Sequence, residues 1–437
     1  MFDNLASDLL GDRSVESCAI VYAKHEMATG TWIAHAATPV PDSAYVRRDA
    51  ISAVLRAAYL VEVANQARPA RDSVVLVHTH PMETGFPRFS PIDDDGEIAL
   101  ADYFDRRVPN GVHLAMVIGP DGCRARRLGH KTDIPVWDVG KRLVSRSSNV
   151  FAVAAEALHD RQVRAFGSSG QRIVASLRVG VVGVGGTGSV LVQQLAHLGV
   201  SDFTLVDPDV VEPTNLNRLA CAGIADVGQP KTLVAERSIR TVAPAARVRR
   251  LDRDVVEEDV AHELTKLDFL FLCTDSHASR AVIGQLAYQH LVPVIDMGVS
   301  VTVRDGAVTH ITGRTQMLSP GLPCLTCTGA LDGEQIRREM LTPEQRAADP
   351  YLLGAHEPQP AVMSINSTMA SLAVTMFLGA VTPMPANSRF QLYDGIRGTV
   401  RPTTARIVHG CLVCSHAGAL AKGSFWPLPI RPATRHD

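Results

Sequence analysis

At 437 residues the chain is too long for one ordinary hydrophobic core, which points to two domains. Apolar residues make up 46% and charged residues 20%, the balance of a soluble globular protein. A formal net charge of -2 leaves no global field that would draw the chain to nucleic acid or to an anionic membrane, so neither is expected as a partner. Arg247, Arg249, Arg250 and Arg253 cluster locally, but Asp252, Asp254, Glu257 and Glu258 stand among them, the pattern of a solvated face. The first residues lack the basic start and apolar run of a signal peptide, and a cytoplasmic, reducing location is expected. Eight cysteines in such a compartment suggest metal or redox chemistry before disulfides.

The first 130 residues read as mixed α/β, with strand-like runs at 17–22 and 73–77 and an alanine-rich helical stretch over 48–66. The second run, Val74 to Val77, leads into His78-Thr79-His80-Pro81. Two histidines two apart on a strand point to one face, where they can share a metal, and Pro81 ends the ladder. Downstream, Ser90-Pro91-Ile92-Asp93 has the chemistry of a helix start: a capping serine, a proline at the first position and a carboxylate in the first turn. A capped first turn is also a rigid mount for a ligand. Two histidines and one aspartate make three zinc ligands and leave the fourth position for water, as catalytic zinc sites do. Glu16, at the start of the strand-like run Ser17 to Tyr22, is the candidate general base, although alone it would read as a strand-edge charge.

Taken together, Glu16 with its strand, His78-x-His80-Pro81 and Ser90-x-x-Asp93 resemble the JAB/JAMM metallopeptidase pattern in order and approximate spacing. The resemblance implies zinc on His78, His80 and Asp93, acid/base work by Glu16, and Ser90 steadying a tetrahedral intermediate. The segment 82–89 is longer than many members have, so Asp94 stands as an alternative to Asp93. The implied chemistry is hydrolysis of an amide or isopeptide bond after the C-terminal glycine of a ubiquitin-like protein.

Residues 131–158 read as a linker, polar at first and then helical toward His159, with a second domain over 159–420 and a loose, proline-interrupted tail over 421–437. Alternating strand and helix signals from Arg178 predict a parallel sheet wound with helices, a Rossmann-like doubly wound fold. A strand from Arg178 to Val182 opens Gly183-x-Gly185-x-x-Gly188, which permits a tight turn and close approach of phosphates to a helix N-terminus. Asp207 closes the next strand, where a carboxylate can bind ribose hydroxyls. So far an NAD-binding domain fits equally well. Asn215-Leu216-Asn217-Arg218 and then Gly228-Gln229-Pro230-Lys231 add cations that a triphosphate needs and a hydride carrier does not. Asp275 follows Phe269 to Leu272 at a strand's C-terminal end, a sensible magnesium position.

In this order these residues resemble the ThiF/MoeB and ubiquitin-activating-enzyme family. The lead-in Arg161-Gln162-Val163-Arg164-Ala165-Phe166-Gly167, with Gly170-Gln171, belongs to the same likeness. It implies an ATP-dependent adenylating domain working as a homodimer, with Arg161 reaching the partner subunit's triphosphate. It places Gly185 against the nucleotide, Asp207 on ribose, Asn215, Arg218 and Lys231 on phosphates, Asp275 on magnesium and Asp254 near adenine. Cys324-x-x-Cys327 and Cys411-x-x-Cys414 are two knuckles that can close a structural zinc site of four thiolates; two free redox pairs are the alternative. Residues 328–360 contain no cysteine, so adenylation is expected without a thioester in that loop; among the remaining Cys18, Cys123, Cys221 and Cys273, Cys18 and Cys273 belong to strands, and Cys221 is exposed enough to be conceivable but sits in the wrong place. The uncharged stretch 362–384, interrupted by serines, threonines and Asn366, reads as a buried or dimer-facing helix rather than a membrane span. Two other readings stand beside this one: a catalytically silent scaffold for a ubiquitin-like protein, and adenylation of a short peptide in a biosynthetic pathway.

Overall fold

A computed structural model of the chain describes residues 1–147, 157–342, 345 and 360–431. The expected helical lead toward His159 falls mostly outside these residues. The chain divides into two compact units. One comprises Met1–Asp138, Leu143–Phe151 and Ala421–Phe425, the other Val139–Arg142, Ala152–Leu420 and Trp426–Asp437.

The first unit is built on a six-stranded mixed sheet in the order β2-β1-β5-β6-β7-β8. Its strands are β1 (Cys18–Glu26), β2 (Thr31–Pro39), β5 (Ser73–Thr79), β6 (Leu114–Gly119), β7 (Gly122–Arg127) and β8 (Asp133–Ile134), while β3 (Tyr45–Asp49) and β4 (Ser52–Leu55) form a separate ribbon. Only β5 and β6 pair in parallel; the other neighbours run antiparallel. Along β1 the residues alternate between two cores: Ala19, Val21 and Ala23 pack with α1 (Phe2–Leu9), and Cys18, Ile20 and Tyr22 pack on the side of α2 (Ala57–Ala70) and α3 (Pro91–Arg107). The helix expected over 48–66 starts later. Residues up to Leu55 belong to the β3–β4 ribbon, where the Arg48 guanidinium is held by Asp42, the Ser17 hydroxyl and the Glu16 carbonyl.

The second unit carries an eight-stranded sheet. Its strands are β11 (Arg178–Val182), β12 (Asp202–Val206), β13 (Arg247–Leu251), β14 (Phe269–Leu272), β15 (Val294–Arg304), β16 (Ala307–Leu318), β17 (Phe390–Asp394) and β18 (Thr399–Pro402). Outside both large sheets, β9 (Trp137–Val139) and β10 (Leu143–Ser145) pair with each other; all their residues but Val139 belong to the first unit. The order β13-β12-β11-β14-β15 is parallel, and from β15 outward each neighbour is antiparallel. β15 and β16 join through Asp305 and Gly306, both at positive φ (51° and 74°), the conformation of a tight two-residue hairpin turn.

Among the described residues this unit also carries helices α4 (Asp160–Ser176), α5 (Gly186–His197), α6 (Lys231–Val242), α7 (Glu258–Leu264), α8 (His277–Gln289), α9 (Gly333–Glu339) and α10 (Met363–Val381). By length and composition α10 could cross a membrane, but 61% of its apolar window is buried, and Phe377 packs edge-on against Phe269 and Phe271. The stretch expected as a loose tail is tied down through Arg431. Ser424 bonds Glu26, Gln285 and Gln289 donate to the carbonyls of Pro427 and Trp426, and Arg431 pairs with Asp254. The clustered arginines are paired, but of the acids the sequence offers only Glu257 takes part: Arg247 pairs with Asp202, Arg249 with Glu263, Arg250 with Glu236, and Arg253 with Glu257 and Asp259, because the fold brings more distant acids closer.

The doubly wound half hinges on Gly188, where a Cβ would lie 2.0 Å from the Gly183 carbonyl oxygen. Backbone cannot yield as a side chain can, so Gly188→Ala should cost about 3 kcal/mol of stability, read as a lowered urea midpoint. An unchanged midpoint would show that α5 can pull away from the strand freely.

Candidate functional sites

In the first unit, β5 ends at Thr79 and delivers His78 and His80 to one end of the sheet. Ser90 caps α3: its hydroxyl accepts from the Asp93 N–H (3.2 Å), and the Asp93 carboxylate accepts in return from the Ser90 N–H (2.6 Å) and hydroxyl (2.8 Å). That fixes Asp93 with Oδ1 3.3 Å from His78 Nε2 and Oδ2 3.6 Å from His80 Nε2. One donor atom from each of the three residues lies within 4.8 Å of the others. His78 Nε2 is buried and faces Asp93 Oδ1 without meeting hydrogen-bond geometry, as two ligand atoms aimed at a shared cation would. Asp94 is turned elsewhere, to Arg126 (2.8 Å) and Lys131 (3.2 Å).

Glu16 is only 7% exposed, so it is no strand-edge charge, and its Oε1 lies 3.7 Å from His80 Nε2. Burial pushes its carboxyl up to about 7 against the opposing pull of His80. Asp93 goes the other way: burial is outweighed by His78 and by the Ser90 hydrogen bonds, which hold it well below the usual carboxylate range. Two supports were not evident from sequence. Glu83 Oε2 lies 3.1 Å from His80 Nδ1 and so orients the ring, its only signal being the spacing of three residues. Arg126 forms a buried bidentate pair with Glu97 of α3 and stacks 3.8 Å from the Phe89 ring centroid.

In the second unit the site forms where the strand order reverses, with β12 on one side of β11 and β14 on the other. Gly183, at φ 85°, turns the chain from β11, and its N–H bonds the Val206 carbonyl. The buried Asp207 accepts from the Val184 N–H (2.6 Å) and the Asp209 N–H (2.9 Å), locking the glycine turn to the end of β12. Burial raises its carboxyl, and nearby Lys231 opposes the shift. Gly185 has an ordinary φ of -78° and nothing within 4 Å of a Cβ position, so neither strain nor crowding inside the protein calls for glycine there.

Lys231, at the start of α6, pairs with Asp209 (2.7 Å), an acid absent from the expected set. Arg218 lies beside the first turn of α5: a Cβ on Gly186 would be 3.3 Å from its Cδ. Asn215 is buried and its Oδ1 accepts from the Glu212 N–H, so it shapes the loop that carries Arg218. Asn366 of α10 reaches the same turn, its amide 2.3 Å from that Gly186 Cβ position; a buried asparagine in an uncharged helix was its signal. Asp275 is exposed beyond the end of β14. Asp254, expected near the base, pairs with Arg431 and accepts from the Val256 N–H. Arg161 is exposed on α4 and, among the described residues, has no partner within its own chain.

The two cysteine knuckles meet. Sulfur–sulfur distances are 3.6 Å for Cys324–Cys327 and Cys324–Cys411 and 3.5 Å for Cys327–Cys414, close to the roughly 3.8 Å edge of a tetrahedral zinc–thiolate site. The Val408 N–H points at Cys327 Sγ, as expected where a thiolate needs support. Hydrogen bonding, from the Cys414 thiol first, pulls Cys324 down toward the thiolate. By contrast, burial pushes Cys18 and Cys123 up to about 12 and raises Cys221 and Cys273 as well, away from the thiolate form.

A glycine turn at the switch point of a doubly wound sheet, with an acid after the second strand and cations around it, defines a nucleotide-binding α/β protein. The chain belongs to the ThiF family, whose model matches residues 159–412. The molybdopterin-synthase adenylyltransferase of Salmonella typhimurium is 30% identical over 262 residues, covering 59% of this chain and 95% of that protein. The sulfur carrier protein adenylyltransferase of Thermus thermophilus is 28% identical over 57% of this chain and 86% of its own length. Among solved structures, Escherichia coli MccB with ATP aligns over 60% of this chain and 75% of that chain at 18% identity, with a TM-score of 0.48.

The Glu16 shift has a measurable consequence for the metal-free protein. The folded state holds this proton more tightly than the unfolded chain, whose glutamate titrates near 4.5, so stability is lost as pH rises from 4.5 through about 7. Urea unfolding of EDTA-treated protein across that window should fall less steeply for Glu16→Gln than for wild type. Identical slopes would place the glutamate in water.

Proposed function

We propose that the second unit adenylates the C-terminal carboxylate of a small ubiquitin-like or sulfur-carrier protein at the expense of ATP. The supporting observation is the meeting of Asp207, Lys231 and Arg218 around an open Gly185, in a family whose relatives include a molybdopterin-synthase adenylyltransferase and a sulfur carrier protein adenylyltransferase. The glycine turn and the α5 N-terminus receive the phosphates, and Asp207 takes the ribose hydroxyls. Arg218 and Lys231 neutralise phosphate charge, Lys231 leaving Asp209 to do so. Asp275 would hold magnesium on the triphosphate. A carboxylate oxygen of the carrier attacks the α-phosphorus, the bond to the β-phosphate oxygen breaks, and pyrophosphate leaves behind a mixed anhydride. A carboxylate is a poor acyl donor, and AMP is a good leaving group. The domain's own contribution is alignment and charge neutralisation. In a homodimer, Arg161 would supply a further cation to the partner's nucleotide.

The cysteine cluster would hold a closed structural zinc, since four sulfurs at tetrahedral spacing leave no open position. For the first unit the reading is a JAB/JAMM-type zinc hydrolase acting after the glycine of the same class of protein. His78, His80 and Asp93 would hold the ion, which when bound polarises a carbonyl and makes water nucleophilic at neutral pH. Glu16, near neutral in its proton affinity, accepts the proton of the attacking water and returns it to the leaving amine. Ser90 is held by Asp93 within reach of the same centre. Joining the two activities on one chain raises the concentration of freed carboxylate near the adenylating site.

ATP–pyrophosphate exchange with a β-grasp carrier tests the first reading. Exchange should occur with wild type and drop at least about a hundredfold in Lys231→Ala, while Gly185→Ala should keep its unfolding midpoint yet lose ATP affinity. Absence of exchange with every small β-grasp protein encoded nearby would remove the reading's support. Zinc content and cleavage of a glycine-extended precursor test the second. Two zincs per chain and loss of cleavage in Glu16→Ala are expected; one zinc per chain, or undiminished cleavage, would count against a hydrolase.

A further inference from the structure

The loop that carries Asp275 is gripped from both sides by residues outside the nucleotide turn. Arg280, one turn into α8, donates from Nη1 to the Asp275 carbonyl (3.3 Å), from Nε to Asp296 Oδ1 (3.1 Å) and from Nη2 to the Met297 carbonyl (3.5 Å). A single guanidinium thus ties the loop to α8 and to β15. Its anchor, Asp296, is fully buried and is held a second time by Arg314 Nη2 at 2.6 Å. On the other side Glu339, the last residue of α9, accepts through Oε2 from the Ser276 hydroxyl and the Ala278 N–H, both at 2.7 Å. Ser276 is the cap of α8, its hydroxyl also accepting from the Ser279 N–H. The Asp275 backbone is therefore fixed through its carbonyl and through the next residue, while its own carboxylate is exposed and, among the described residues, unpartnered.

We propose that Arg280, seated on Asp296, and Glu339 are positioning residues that hold the Asp275 loop so that its carboxylate faces a divalent cation on the bound nucleotide. This rests on the assignment of Asp275 as the magnesium-binding acid. A ligand carboxylate on a free loop must lose both backbone and side-chain entropy when the cation binds; on a clamped loop only the side chain's share remains to be lost. Arginine is required because one planar head has to span three acceptors, which the single ammonium of lysine cannot do. Loss of Arg280 does not strand a buried charge, because Arg314 still pairs with Asp296, so variants at this position should fold.

The test uses the full chain and calorimetric titration with ATP, once with Mg2+ and once with EDTA. Arg280→Lys and Arg280→Met should weaken Mg·ATP binding about tenfold while metal-free ATP binds as in wild type. Glu339→Ala should show a smaller loss with the same metal dependence. Thermal unfolding of the same samples reports folding. Equal loss of both affinities, or no loss in either, would overturn the positioning role. Asp275→Asn serves as the reference: if it leaves Mg·ATP affinity unchanged, the magnesium assignment itself fails, whereas a loss in Asp275→Asn alone defeats only the clamp.

Discussion

The absent side chain at Gly188 is the constraint on which the nucleotide site depends. It lets α5 begin against the carbonyl of Gly183, so the helix N-terminus opens directly off the strand. Everything else at that end of the sheet is arranged around this approach. Asp207 grips the turn through the Val184 N–H, Asp209 is tethered to Asp207 and in turn parks Lys231, and Asn215 shapes the loop that lays Arg218 alongside the first turn of the helix. Loosen the helix and each of these partners loses its reference.

The first unit holds two carboxyls beside the same pair of imidazoles in contrasting surroundings. Donors around Asp93 hold its carboxyl down, whereas burial pushes the Glu16 carboxyl up against the pull of one nearby imidazole. The separation comes from placement: one carboxyl belongs to a helix cap rich in N–H and O–H groups, the other to a strand entrance where the backbone is already paired with Asp49.

Local patterns carried most of this into the sequence. The two-residue spacing of His78 and His80, the serine–proline–acid helix start and the glycine turn are all contiguous motifs, and each folds as its residue types dictate. The coming together of Cys324 and Cys327 with Cys411 and Cys414 was legible only as a proposal, because 87 residues separate the partners. What stayed hidden depends on tertiary approach. Asp209, Glu83 and Asn366 are ordinary polar residues until the fold brings Lys231, His80 and Gly186 beside them. The alanine-rich run after Arg48 has helical composition, but the guanidinium's three tertiary acceptors hold its first residues in a ribbon. Nor does the sequence announce the pairing of Asp254 with Arg431, 177 positions on.

The eight-stranded sheet joins two kinds of neighbour. β15 and β16, of 11 and 12 residues, meet across the Asp305–Gly306 turn, so their ladder closes almost no loop. β11 and β14 are both short and lie about ninety positions apart along the chain. Chain entropy therefore favours an order of assembly: the long hairpin can zip from its own turn and offer Val294 to Asp296 as a ready edge, against which the distant parallel strands then dock. On that route the nucleotide pocket is the last part of the sheet to appear, and nascent chains would acquire ATP affinity only when the far-flung strands arrive.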